Sequence, residues 1–143
     1  MIEVRKEYLI EDDVAYTYNF ISDPENDTRW MSSVVGVTMK TTDTYDITMK
    51  FFGKKMVFGI LTDTTANKRH EYKTYSGPLS FAGSYDFSPW AHRTKVIWTF
   101  KAEPGKFFGL VPTVLLKSAL EKQADKDIAA LQGLVKLMTS GAS

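Results

Sequence analysis

His70, Tyr72, Thr74 and Ser76 occupy alternate positions of the stretch HEYKTYS. On a strand, that spacing puts the four side chains on one face and Glu71, Lys73 and Tyr75 on the other. If the first face points inward, an otherwise apolar enclosure gains a wall able to do acid–base chemistry. An imidazole exchanges protons near neutral pH. A phenol hydroxyl can donate to an oxygen that gains negative charge, as in an enolate. An opposite register, or a place for His70 at a solvated strand end, would leave these residues without that role.

Other chemistries find little support. The chain has no cysteine, which excludes disulfides, thiolate catalysis and Cys-ligated zinc. The only two histidines, His70 and His92, lie far apart in sequence and form no ligand spacing, so no metal is expected. Ser32-Ser33 lacks the glycines of a nucleophile elbow. No glycine-rich phosphate loop is present, and no cofactor is called for. Asp12-Asp13 reads as a helix cap rather than a catalytic carboxylate pair. The formal charge of +1 gives no long-range attraction to nucleic acid or to an anionic membrane. The N-terminus, MIEVRKEYLI, lacks a basic region followed by an apolar core, and no stretch is long and apolar enough to span a bilayer. A soluble cytoplasmic protein, monomeric or homodimeric, is expected.

The 143 residues suit one domain, 1–143, able to bury a core without staples. Ile2 to Ile10 alternates as a half-buried strand. A helix capped by Asp12-Asp13 follows, with Val14, Thr17, Tyr18 and Ile21 at helical spacing. A second short helix starts at Asp23-Pro24, where the aspartate can cap, the proline suits the first helical position and Glu25 favours the positive end. It ends near Trp30. Six further strands then run from Ser33 to about Glu103, joined by short turns, which implies an antiparallel meander. Breaks are expected at Gly53-Lys54, Thr64–Asn67, Gly77-Pro78 and Ser88-Pro89. Beyond Pro104-Gly105, apolar residues from Leu116 to Met138 recur every three or four positions, which describes a long amphipathic helix.

In this order the motifs resemble a family. They are SDPEN with Arg29-Trp30; Phe52-Gly53-Lys54-Lys55; Ser76-Gly77-Pro78-Leu79; Phe81-Ala82-Gly83-Ser84-Tyr85; Thr94-Lys95-Val96-Ile97-Trp98-Thr99-Phe100; and Phe108-Gly109-Leu110. The chain resembles the SRPBCC superfamily of START domains and the birch pollen allergen, in its polyketide cyclase/dehydrase branch. The resemblance implies an α+β helix-grip fold: a curved seven-stranded antiparallel sheet wrapped around the C-terminal helix, with two short helices between the first two strands. It also implies a hydrophobic or amphipathic small-molecule ligand. Members of that superfamily carry lipids, cyclise or dehydrate polyketides, or act as co-chaperones, so the fold leaves function open.

The sheet face expected to point inward carries Tyr45, Ile47, Met49, Phe51, Met56, Phe58, Ile60, Phe81, Tyr85, Trp98 and Phe100. Leu116, Leu120 and Ala124 approach it from the helix. These residues either fill a core or line a cavity. The candidate ligand-binding set is Trp30, Tyr45, Met49, Phe51, Phe58, Thr74, Phe81, Tyr85, Trp98, Phe100, Leu116 and Leu120, with His70 and Tyr72 as the catalytic candidates. Trp30 is expected to cover the open end of the cavity. Gln123 and Asp127 border the apolar stripe, where one could hydrogen-bond a ligand or merely flank the core; flanking is the expectation. The function expected is cyclisation or dehydration of a polyketide-like substrate, or else non-catalytic carriage or sensing of a lipid-like ligand.

Overall fold

A computed structural model of the chain describes residues 1–105, 109 and 111–141. Phe108 and Leu110, part of the last family-like motif, lie outside the described residues.

Strand β1 (Ile2–Ile10) is followed by helix α1 (Val14–Ser22). Asp13 caps α1, its Oδ1 accepting from the Tyr16 amide at 2.8 Å. A single 3-10 turn over Pro24–Asn26 comes next, begun by Asp23, which accepts from the Glu25 amide. It runs into the short helix α2 (Asp27–Trp30). The strands β2 (Val34–Met39), β3 (Thr44–Phe51), β4 (Lys54–Thr65), β5 (Arg69–Ser76), β6 (Ser80–Trp90) and β7 (Arg93–Glu103) follow, then the long helix α3 (Thr113–Gly141). The order across the sheet is β1-β7-β6-β5-β4-β3-β2, and every neighbouring pair is antiparallel. The first and last strands are therefore partners. The two short helices carry the chain from β1 to the far edge of the sheet.

Pro89 does not end a strand. It pairs with Thr94 inside β6, and the reversal falls at Ala91-His92, where Ala91 has φ +55°. Its place beside the strand end lets a residue without an N–H be accommodated.

Helix α3 is fixed on the β1 side of the sheet. Gln132 Nε2 donates to the Leu9 carbonyl at 3.0 Å, and Lys6 pairs with Asp125 at 2.9 Å. The C-terminal half of α3 is packed solid. Leu131 and Val135 are fully buried against Ile10, Phe20, Ile21, Phe87 and Val96. Trp30 belongs to this cluster and is 6% exposed. The N-terminal half of α3 stands over the rest of the sheet with Leu116, Leu120 and Ala124, and there a cavity remains between the two layers.

Candidate functional site: a cavity between sheet and helix

The cavity measures about 150 Å³. Of the candidate ligand-binding residues, Tyr45, Met49, Phe51, Phe58, Phe81, Tyr85, Trp98, Phe100, Leu116 and Leu120 all line it, as do His70 and Tyr72. Strand alternation explains the convergence. Tyr45, Met49 and Phe51 are even numbers of residues apart on β3 and pair with Ile60, Met56 and Lys54 of β4. Tyr85 pairs with both His70 and Trp98, so three inward side chains form one row across β5, β6 and β7.

Two candidates fall elsewhere. Trp30 is not on the cavity wall; it sits in the solid core under the C-terminal half of α3, with its indole N–H buried and without a partner. The turn from α2 into β2 points the ring at α3 rather than at the open end of the sheet. Thr74 is held by the sheet itself: its Oγ1 accepts from the Phe81 amide at 3.2 Å, and it does not reach the cavity. Ser76 leaves the shared face because the β4–β5 register shifts between Gly59 and Ile60. Its Oγ accepts from the Gly59 amide at 3.2 Å on the exposed side. An extra residue in one strand breaks the period of two on which the four-residue face depended.

His70 is 4% exposed, and its Nδ1 is buried without a hydrogen-bond partner. The imidazole forms a triangle with two phenol rings, 6.3 Å from Tyr72 and 6.2 Å from Tyr85 by centroid, the phenols being 5.9 Å apart. Burial lowers its pKa to about 4, so the ring is neutral at physiological pH. The oxygen of Tyr72 accepts a hydrogen bond from Trp98 Nε1 at 2.9 Å. Tyr85 is a second hydrogen-bonding neighbour of the same hydroxyl, so Tyr72 belongs to a small buried network with Trp98 and Tyr85. Burial raises the Tyr72 pKa above its ordinary value, so the group is a hydrogen-bond donor rather than a phenolate at neutral pH. Gly83 is paired with Tyr72, and a Cβ built there would collide with the Tyr72 hydroxyl. Only glycine leaves the ring this place.

The pKa of His70 has a consequence for stability. The folded state keeps the ring neutral down to about 4, whereas the ordinary value is 6.5. His70 therefore contributes fully above pH 6.5, and its contribution is lost as pH falls toward about 4. Between those limits the unfolded chain binds a proton that the folded chain refuses, at a cost of up to about 3 kcal/mol. Denaturant titrations of the protein and of His70→Gln, run across that range, should show a smaller acid-side loss in the variant. Parallel curves would mean that the imidazole is not sequestered.

The polar part of the wall exceeds what alternation along the strands reveals. Asp27 on α2, and Gln123 and Asp127 on α3, also line the cavity. Asp127 accepts from the Ser32 amide at 3.1 Å, which ties α3 to the start of β2. Gln123 and Asp127 thus face the cavity rather than merely flanking the core. Asp27 is 5% exposed. The sequence held one signal for it: Asp27 and Trp30 are three apart, so a helix that buries one turns the other toward the interior as well.

An antiparallel seven-stranded sheet gripping one long helix, with a lined space between them, defines the START-like, helix-grip class. The chain belongs to the polyketide cyclase / dehydrase and lipid transport family, whose model matches residues 1–136. Among solved structures, a START superfamily protein from Mycobacterium smegmatis superposes with a TM-score of 0.80 at 14% identity, covering 95% of this chain and 98% of that one. The protein TTHA0849 from Thermus thermophilus gives 0.81 at 18% identity, covering 95% and 98%. The di-domain ARO/CYC StfQ of the steffimycin biosynthetic pathway gives 0.77 at 10% identity, covering 97% of this chain and 52% of that one. At these identities the likeness is one of fold. No curated protein matches the chain. Among the described residues, no helix is long and apolar enough to cross a membrane, and no cluster of three or more His, Asp or Glu could hold a metal ion.

Proposed function

We propose that the domain encloses an apolar or aromatic small molecule and promotes its cyclisation or dehydration, with His70 and Tyr72 as the acid–base pair. One observation carries this reading. A neutral imidazole whose buried Nδ1 has no partner and a protonated phenol stand side by side on the wall of an otherwise largely apolar cavity. Buried polar groups normally have partners, and here the natural partner is a ligand oxygen or an acidic C–H.

The chemistry that fits is proton removal next to a carbonyl. His70 takes a proton from the carbon, and the C–H electron pair moves into an enolate whose oxygen receives the Tyr72 hydrogen bond. In a folded polycarbonyl chain, the enolate carbon attacks a second carbonyl and closes a ring. His70-H⁺ returns its proton to the resulting alkoxide. In a following dehydration, His70 takes a second proton from the carbon next to the new hydroxyl carbon. That C–H pair forms the C=C bond, and the same proton passes to the departing hydroxyl, which leaves as water. The cavity shape supplies the reactive conformer, which is where much of the acceleration would arise. Membership of a family described by polyketide cyclases, dehydrases and lipid transport is compatible with this reading. A second reading, non-catalytic carriage of a lipid-like molecule, is favoured by the many aromatic and aliphatic side chains of the wall, such as Phe58, Phe81, Phe100 and Leu120.

Both readings require that the cavity take up a ligand. An apolar fluorescent probe should bind with one-to-one stoichiometry to protein that still unfolds cooperatively. Ala124→Phe, which places a ring in the space under α3, should abolish binding and leave the fold intact. Absence of binding to folded wild-type protein, or unchanged binding in the filled variant, would refute both readings.

A further inference from the structure

Asp27 is a buried carboxyl that the proposed acid–base pair does not use. It is 5% exposed, lines the cavity, and forms no hydrogen bond or ion pair through its carboxyl among the described residues. A second carboxyl, Asp127, lines the same space. Among the described lining residues there is no lysine or arginine. The remaining polar groups are His70, with its unpartnered Nδ1, the phenols of Tyr45, Tyr72 and Tyr85, and Ser33 and Gln123.

A wall of this composition discriminates between ligand charges. A carboxylate or phosphate head would enter low-dielectric surroundings with two acids nearby and no described cation to meet it. A protonated amine would find the opposite: a carboxyl able to become its counter-ion and phenol rings whose faces attract cations. A buried carboxyl also does what an amide in its place could not, because it can become charged when a cation arrives.

We propose that the end of the cavity at Asp27 is an ammonium-recognition site, and that the ligand is an apolar or aromatic molecule bearing a basic amine. The inference rests on the reading that the cavity holds a small molecule, and it names the class of that molecule. The titratable groups whose charges act on or feel Asp27 are Asp23, before the 3-10 turn, and the phenols of Tyr45 on β3, Tyr72 on β5 and Tyr85 on β6. His70 on β5 and Asp127 on α3 share the cavity with it. Burial, and after it the charge of Asp23, hold Asp27 well above the usual carboxylate range. An ammonium seated against it favours the carboxylate. Binding of a protonated amine should therefore expel a proton from Asp27.

The test compares phenylpropylamine, phenylpropanol and phenylpropanoate. Their one-ring body suits a cavity of about 150 Å³. Calorimetry near neutral pH should show the amine binding about ten- to a hundredfold more tightly than the alcohol, with the carboxylate weakest. Titrations in buffers of different ionisation heat should show proton release with the amine and none with the alcohol. Asp27→Asn should erase the amine preference and leave alcohol binding in place, whereas Asp127→Asn should retain the preference. Should Asp27→Asn fail to fold, the wild-type series and its proton release decide alone. Equal affinity for amine and alcohol, tightest binding of the carboxylate, or a preference that survives in folded Asp27→Asn would overturn the inference while leaving the cavity reading intact. Failure of all three probes to bind would overturn the inference and tell against the cavity reading too.

Discussion

His70→Gln and Tyr72→Phe are each expected to lower turnover of a cyclisable polycarbonyl substrate by about 10²–10⁴-fold, the usual loss when a positioned acid or base is removed. The argument is geometric. His70 and Tyr72 are two residues apart on β5, line one cavity, and have ring centroids 6.3 Å apart. Gln keeps polarity and approximate size but cannot take a proton, so folding and ligand affinity should change little while the rate falls. Phe at position 72 removes the donor and leaves Trp98 Nε1 without its acceptor. That variant should lose some stability in addition to rate, by the roughly 1–3 kcal/mol of an orphaned buried donor. Gly83→Ala offers an independent check, since its methyl group would push Tyr72 out of position. It should reproduce the rate loss of Tyr72→Phe with the phenol still present. Wild-type turnover in both His70→Gln and Tyr72→Phe would remove the acid–base role and favour the carrier reading.

Trp30→Ala is expected to destabilise the fold by about 3–5 kcal/mol, as for other buried large aromatic side chains. Affinity for an apolar probe should stay within about twofold, because the ring does not line the cavity. The ring packs in the cluster of Phe20, Ile21, Leu131 and Val135, where truncation leaves a void that a closely packed core cannot readily refill. Trp30→Phe should cost much less. It keeps most of the ring and removes the indole N–H, which is buried with no partner. Urea unfolding paired with probe titration separates the two roles. A loss of affinity with stability unchanged would restore the idea of Trp30 as a cover over the cavity mouth.

The inward rows of β3, β4, β6 and β7 could be read in the sequence because a strand's side chains alternate with a period of two. The long helix was legible for the same kind of reason: Leu116, Leu120, Ala124, Leu131 and Val135 follow the 3.6-residue period of a buried stripe. Asp13 and Asp23 marked helix starts because capping is a contact with the next few amides. All of these are local rules, and local rules survive translation from sequence to structure.

Tertiary structure alone decided what the local rules do not reach. Ser76 left the His70 face because the β4–β5 pairing carries an extra residue, Tyr75, in β5, and alternation read along β5 alone does not reveal where pairing with β4 will skip a residue. Trp30 joined the core rather than the cavity mouth because α2 packs against α3, a contact between segments about a hundred residues apart in the chain. Asp27 and Asp127, separated in sequence by the same distance, come to line one cavity, one from each of those helices. From the sequence, Asp127 reads as flanking the core, and Asp27 shows only its spacing from Trp30. Only where the two helices close over the sheet do they become carboxyls on the wall of one cavity, because burial is a property of the assembled layers and not of any segment.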